Sequence, residues 1–247
     1  MAASNLPAYA ILWSRSLAFW LAFPVSILVY VLVLLLLFPV SHRRRWAIVQ
    51  SWVHFVLWWL RVTCRLTHEI QGLEHITEQP SIVFSKHQST WETVALQDIF
   101  PRQVWVAKRE LMWIPVFGWG LALMNTIAID RGSGRAAVAQ LVNKGKARLD
   151  EGNWVVIFPE GTRIPPGKRG RYRIGGAVLA EQSGYPIIPV AHNAGEYWPR
   201  RSFIKHPGVI QVRIGPPIRG DGKKAQQILD EAAEWIEGQM AEITTLK

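Results

Sequence analysis

The sequence predicts an α/β domain with a mixed, partly parallel sheet and flanking helices, preceded by an N-terminal membrane-helix region. The stretch Leu17–Val40 carries no charge and exceeds the roughly 20 residues that cross a bilayer core. Beyond Glu69, short runs rich in β-branched residues recur, and helical stretches fall between several of them. The composition, 49% hydrophobic and 19% charged, is apolar for a soluble chain yet mild for a polytopic membrane protein, so the apolar excess must be local. Residues 1–66 are therefore read as a membrane-anchoring region and 67–247 as the α/β domain.

Within the first region, a transmembrane helix is expected at about 17–40. Pro24 is a candidate kink that membrane helices tolerate when the freed carbonyl finds a partner. A cleaved signal peptide fits less well, because the apolar run is too long and no small-x-small site follows it. His42-Arg43-Arg44-Arg45 follows the run and only Arg15 precedes it, so the positive-inside rule keeps the rest of the chain cytoplasmic. A second helix, about 43–66, is apolar from Trp46 onward with a few polar residues, and Gln50, His54, Arg61 and Arg65 are informative, with Arg43 joining them. These fall on one narrow stripe at 100° per residue. With Trp46, Trp52, Trp58 and Trp59 near its surface, it suits a helix in the membrane interface. It also suits one packed beside the first helix, seam toward headgroups or toward the α/β domain. A full second crossing is the rival, and a cationic seam is costly in mid-bilayer.

In the α/β domain, strands are expected at Ser81–Ser85, Val104–Ala107, Ile127–Ile129, Trp154–Phe158, Ile187–Ala191 and Val209–Ile214. Helices are expected at Ser89–Asp98, Gly134–Glu151, Gly175–Ser183 and about Gly222–Ile243, the last with Ile228, Ala232, Trp235 and Ile236 on one face. Functional groups in such sheets gather in loops at the carboxyl ends of strands.

A formal net charge of +10 points to nucleic acid, anionic lipid or a phosphorylated substrate, or serves solubility alone. The single cysteine, Cys64, excludes an intramolecular disulfide and fits a reducing compartment. No P-loop and no GxGxxG after a strand is present, so nucleotide-binding folds lose ground. His54, His68, His75 and His87 follow no metal-ligand spacing, and no metal is expected.

Two strand ends carry candidate chemistry. His87 follows the strand ending at Ser85, and Glu92 opens the next helix. If that helix begins at Ser89, His87 is free in the turn and can fold back so that Glu92 accepts from one imidazole nitrogen. That is a base with an orienting carboxylate, suited to taking a proton from an attacking alcohol. Ser89-Thr-Trp-Glu92 is also a capping box, and the two readings are compatible. The strand Trp154–Phe158 stops at Pro159-Glu160-Gly161-Thr162-Arg163, which displays Glu160, Thr162 and Arg163 on a loop. Arg163 heads a cationic stretch with Lys168, Arg169, Arg171 and Arg173. Guanidinium groups match phosphate oxygens bidentately, which suits Arg163 at the strand end, whereas Lys168 through Arg171 read as a solvated basic loop. Arg131 also sits at a strand's end and either joins Arg163 or pairs with Asp130.

His87-x4-Glu92, Lys108-Arg-Glu110-Leu111 with Pro115 and Gly118, Ile129-Asp130-Arg131, Phe158-Pro-Glu160-Gly161-Thr162-Arg163 and Ile187-Ile-Pro189-Val190 occur in that order. Together they resemble the four blocks of the glycerolphosphate acyltransferase superfamily, specifically its bacterial 1-acyl-sn-glycerol-3-phosphate acyltransferases, over roughly residues 69–215. The resemblance implies that residues 67–247 are an acyltransferase catalytic domain. It implies His87 as general base with Glu92 as partner, Arg131, Glu160, Gly161, Thr162 and Arg163 as the acceptor and phosphate site, and Pro189 as support for the acyl-binding wall. Four departures stand out: glutamate at 92 where most relatives have aspartate, no glycine in the stretch 124–129 before Arg131, Ala128 where an aromatic is frequent, and Ile164 in place of a common serine.

The implied reaction moves an acyl group from a thioester to the 2-hydroxyl of 1-acylglycerol 3-phosphate, giving phosphatidic acid. No cofactor is expected; acyl-CoA or acyl carrier protein is the co-substrate, and an anionic lysophospholipid acceptor and membrane lipids are the partners, with no nucleic acid. The expected location is the bacterial inner membrane, catalytic domain on the cytoplasmic side. No acyl-enzyme is expected, since Cys64 lies in the membrane-associated helix and no Gly-x-Ser-x-Gly elbow exists. Other lyso-lipid acceptors (lyso-ornithine lipid, or a lysophospholipid with a larger headgroup), a membrane thioesterase and a non-catalytic lipid-binding protein are the alternatives. The apolar stretch Leu111–Leu123 reads as an acyl groove, a bilayer contact or plain core.

Overall fold

The computed structural model describes residues 6–246. Seven strands form one sheet in the order β1-β7-β6-β2-β5-β3-β4. These are β1 (Leu66–Gln71), β2 (Ile82–Ser85), β3 (Gln103–Lys108), β4 (Ile127–Ile129), β5 (Trp154–Ile157), β6 (Ile187–His192) and β7 (Gly208–Ile214). All neighbours run parallel except β6 and β7. The central strands β2, β5 and β6 are buried at every residue, which is why they read as unbroken apolar runs rather than alternating ones.

Helices cover both faces. On one side lie α1 (Leu6–Leu36), α2 (His42–Cys64) and α3 (Trp91–Ile99), whose apolar residues share a core with Val83, Val156, Ile188 and Val212. On the other lie α5 (Arg135–Asp150), α6 (Gly175–Ser183) and α8 (Ala225–Ile243), packed on Ile82, Phe84, Val155 and Ile157. The two sets alternate along each strand, as a pleated sheet requires. Two short helices, α4 (Phe117–Leu123) and α7 (Ala194–Tyr197), complete the fold. The helix face expected around Ile228, Ala232 and Ile236 is buried, with Trp235 at its edge.

One strand was not expected. β1 follows α2 directly, the chain turning at Arg65 with φ 53°, and pairs in parallel with β7 from Leu66↔Gly208 to Gln71↔Arg213. Its sequence, Leu-Thr-His-Glu-Ile-Gln, is half polar because it is an edge strand.

α1 starts before the expected 17 and ends at Leu36, running through Pro24 without a break. Ser16, Phe19, Phe23 and Ser26, at helical spacing, are buried against α2 and the domain. Leu17, Leu21, Val25, Leu28, Val29, Leu32 and Leu36 on its other face are exposed. α4 packs beside it, Gly120 lying close against Val31, and Trp113, Ile114, Phe117 and Trp119 extend the bare surface. Ala8–Leu36 is the one helix among the described residues long and apolar enough to cross a membrane, with mean hydropathy 2.6 and 28% of its central window buried. Apolar surface this continuous associates the chain with a bilayer.

The stripe on α2 divides. Gln50 donates to the Gln97 carbonyl and His54 lies 2.7 Å from Asp98, so part of it faces α3. Two tryptophans expected near the surface turn inward: Trp52 Nε1 donates to Ser26 Oγ (3.1 Å) and Trp59 Nε1 to the Ala18 carbonyl (3.2 Å). An indole N–H buried in an apolar contact needs such a partner.

Candidate active site

Because β2 and β5 are parallel neighbours in register Phe84↔Ile157, the residues just beyond their carboxyl ends emerge together. His87 and Phe158 therefore meet, their rings stacked with centroids 3.9 Å apart at 13°. β3 and β4 end beside them at Lys108↔Ile129, so the turn carrying Arg131 opens at the same edge of the sheet.

His87 Nδ1 lies 2.9 Å from Glu92 Oε1. The same oxygen accepts from the amides of Gln88 (2.9 Å) and Ser89 (2.8 Å), and Oε2 also accepts from Ser89 at 3.0 Å. Both sequence readings of Glu92 thus hold at once: it reaches back as in a capping box, and it orients the imidazole. The serine half of the box is spent elsewhere, since Ser89 Oγ donates to the Trp198 carbonyl at 2.6 Å and accepts from the Trp91 amide. The helix consequently starts at Trp91 and His87 stays free in the turn. Glu92 is sealed from solvent, and burial alone would raise its pKa. The neighbouring His192, the bond and charge of His87, and the Ser89 amide outweigh burial and hold the carboxyl below its ordinary value.

His192 was not anticipated as part of this cluster. β6 is parallel to β2 with Ser85↔Val190, which sets His192 beside His87. Its Nε2 lies 2.8 Å from the Lys86 carbonyl, and burial pushes its pKa down. The only sequence signal was a histidine directly after the apolar strand Ile187–Ala191.

Lys86 was also missed. Its ammonium is 1% exposed and lies 2.7 Å from both Glu160 Oε1 and Glu237 Oε1, the latter reaching in from α8. Tyr172 donates to the same Glu237 oxygen at 2.8 Å. Glu160 Oε2 accepts from the backbone amide of His87 at 3.0 Å. Glu160, expected on display, is therefore turned inward and buried, because a cation from the neighbouring strand end draws it there. Its local effect is to fix the His87 backbone.

The remaining predicted residues are distributed around this core. Arg131 donates through Nη1 to the Gly161 carbonyl rather than pairing with Asp130, which Arg109 engages at 3.4 Å. Gly161 has φ +68°, a conformation glycine adopts without a steric penalty. Thr162 is exposed, and Arg163 is half-buried, its charge felt by Glu92. Ile164 donates its amide to the His87 carbonyl at 2.8 Å, so the loop after Arg163 closes over the histidine turn. Pro189 lies inside β6 on the α8 side, next to Gly215, and is not brought to His87.

An imidazole aligned by a carboxylate, with cations close by, suits proton removal from a hydroxyl on an anionic molecule. A family model described as acyltransferase matches residues 33–193. The chain is 44% identical over 238 residues to a 1-acyl-sn-glycerol-3-phosphate acyltransferase of Pseudomonas aeruginosa, covering 94% of this chain and 93% of that one. It is 30% identical to the enzyme of that name from Saccharomyces cerevisiae, over 84% of this chain and 67% of the other. The crystal structure of the 1-acyl-sn-glycerophosphate acyltransferase PlsC from Thermotoga maritima superposes with a TM-score of 0.78 at 21% identity, covering 94% of this chain and 96% of that chain, and so shares the fold. The histidine–carboxylate pair, the arginine-bearing turns and these relatives agree: the chain is an enzyme belonging to the acyltransferase family.

Proposed function

We propose that this enzyme acylates the 2-hydroxyl of 1-acylglycerol 3-phosphate from an acyl thioester, yielding phosphatidic acid. The reading rests on the similarity to the Pseudomonas aeruginosa protein and on one geometric observation. His87 is held through Nδ1 by Glu92, while its Nε2 enters no hydrogen bond among the described residues and is left for a substrate.

In this mechanism His87 Nε2 takes the proton of the 2-hydroxyl as that oxygen bonds to the thioester carbonyl carbon. The carbonyl π pair moves to oxygen, giving a tetrahedral intermediate. Its collapse re-forms the carbonyl, breaks the carbon–sulfur bond and expels a thiolate, which takes the proton back from the imidazolium. Glu92 keeps the Nδ1 proton in place and balances the imidazolium while it exists, as a triad carboxylate does. Glu160 and Lys86 hold the histidine backbone, and Arg131 and Arg163 receive the acceptor's phosphate. The donor is acyl-CoA or acyl carrier protein, and Pro189 backs the sheet below an acyl chain. Positive charges after α1 favour an inner-membrane location with the catalytic domain on the cytoplasmic side.

The test is conversion of His87 to alanine. The variant should remain folded and membrane-bound and lose phosphatidic acid formation; retained turnover would sink the proposal. Thioester hydrolysis without any acceptor would favour the thioesterase alternative.

A further inference from the structure

We propose that Arg173 is an acceptor-binding residue, forming with Arg131 a two-guanidinium clamp for a phosphate monoester across Gly161. The inference rests on the acceptor reading above and adds a residue to it. Arg173 lies ten positions past the Pro-Glu-Gly-Thr-Arg block, in a stretch that the sequence alone reads as a basic loop.

Two features bring it to the site. Its amide donates to the Pro159 carbonyl at 2.8 Å, so the chain doubles back alongside the turn that carries Phe158 and Gly161. A Cβ on Gly161 would sit 2.9 Å from Arg173 Nε and 3.8 Å from Arg131 Nη1, so both guanidinium groups border the one glycine. A side chain at 161 would collide with Arg173, so glycine is what lets both groups approach this one backbone position.

The electrostatics point to an anion. Burial and the charge of Arg173 both push the Arg131 pKa down, the mark of like charges brought together. Among the described residues neither arginine forms an ion pair. The carboxylate that favours the Arg131 charge, Glu110, is itself engaged by Lys108 at 3.0 Å. Two adjacent, unneutralised guanidinium groups are matched by a dianionic phosphate, which each can bind bidentately. Since Phe158 of the same turn stacks on His87, a phosphate at Gly161 brings the attached glycerol toward the base.

Phosphate could come from the acceptor or from the donor's pantetheine arm, so the test varies each substrate separately. In mixed micelles, Arg173→Gln should raise KM for 1-acylglycerol 3-phosphate on the order of tenfold or more, the scale of losing a charge-assisted bond. KM for the thioester and the melting temperature should hold. Arg173→Lys, which keeps charge without the fork, should fall between, and it decides the matter by the same comparison if the glutamine variant does not fold. A monoacylglycerol lacking phosphate should be a poor acceptor, used equally by the unaltered enzyme and both variants. An unchanged acceptor KM, or a change confined to the donor, overturns the clamp. Should the unaltered enzyme use monoacylglycerol as readily as the phosphate ester, the acceptor reading itself fails, whatever Arg173 does.

Discussion

Lys86 and Glu160 form an ion pair of 2.7 Å with side-chain exposures of 1% and 0%. Breaking such a pair from one side strands a charge in low dielectric. Lys86→Met should therefore cost about 3–5 kcal/mol of stability. The double variant Lys86→Met/Glu160→Gln should recover part of that loss in chemical denaturation. No recovery would mean that Lys86 acts mainly through Glu237.

Glu92→Gln retains an acceptor oxygen for the amides of Gln88 and Ser89 but removes the charge facing His87. Turnover should fall by roughly 10²–10⁴, the range of a general-base contribution, and the melting temperature at neutral pH should fall as the stabilising charge is lost. A near-normal rate would reduce Glu92 to a helix cap.

The same carboxylate predicts a pH dependence of stability. Its folded pKa lies below the ordinary 4.5, so its contribution is complete above that value and is lost as pH falls through the folded pKa. The unaltered protein should lose melting temperature more steeply than Glu92→Gln once the pH drops below about 4.5. Parallel slopes in the two proteins would contradict this.

Lys205 presents the opposite case. Its side chain is buried, Nζ lies 3.7 Å from the Trp20 ring centroid and 5.0 Å from that of Trp198, and it donates to the Phe203 carbonyl at 2.8 Å. The aromatic faces favour the cation, but burial prevails and brings its pKa down from 10.5 to about 7. Between those values the unfolded chain binds more protons, so this group adds stability as pH rises from about 7 toward 10. Comparing melting temperatures across that range, Lys205→Met should abolish the increment.

α1 is built into the catalytic domain as well as suited to a bilayer. Phe19 is fully buried and meets Trp198 edge-on at 5.2 Å, and the Trp198 carbonyl holds Ser89. A chain beginning at residue 41 should consequently lose activity even in detergent, with a lowered melting temperature. Full activity after such a truncation would show α1 to be a tether alone.

Much of this molecule was legible locally. Strands β2, β5 and β6 announced themselves as apolar β-branched runs because they are buried on both faces. α6 fell where its sequence placed it, between Gly175 and the left-handed Gly184. The proximity of His87 to Glu92 followed from a spacing of five residues across a helix start. β1 was not legible, since a half-polar edge strand has little pattern of its own and is defined by β7, some 140 residues later in the chain.

The amino-acid sequence by itself determined the α/β class, the apolar N-terminal helix and the closeness of His87 to Glu92, because periodicity, charge and turn chemistry act over a few neighbours. Tertiary structure decided what those residues touch. It turned Glu160 inward onto Lys86, set His192 beside His87 through strand register, sent Pro189 to the α8 side and brought Arg173 back to Gly161. Each outcome depends on parallel strands and returning loops, which bring together side chains that no local pattern pairs.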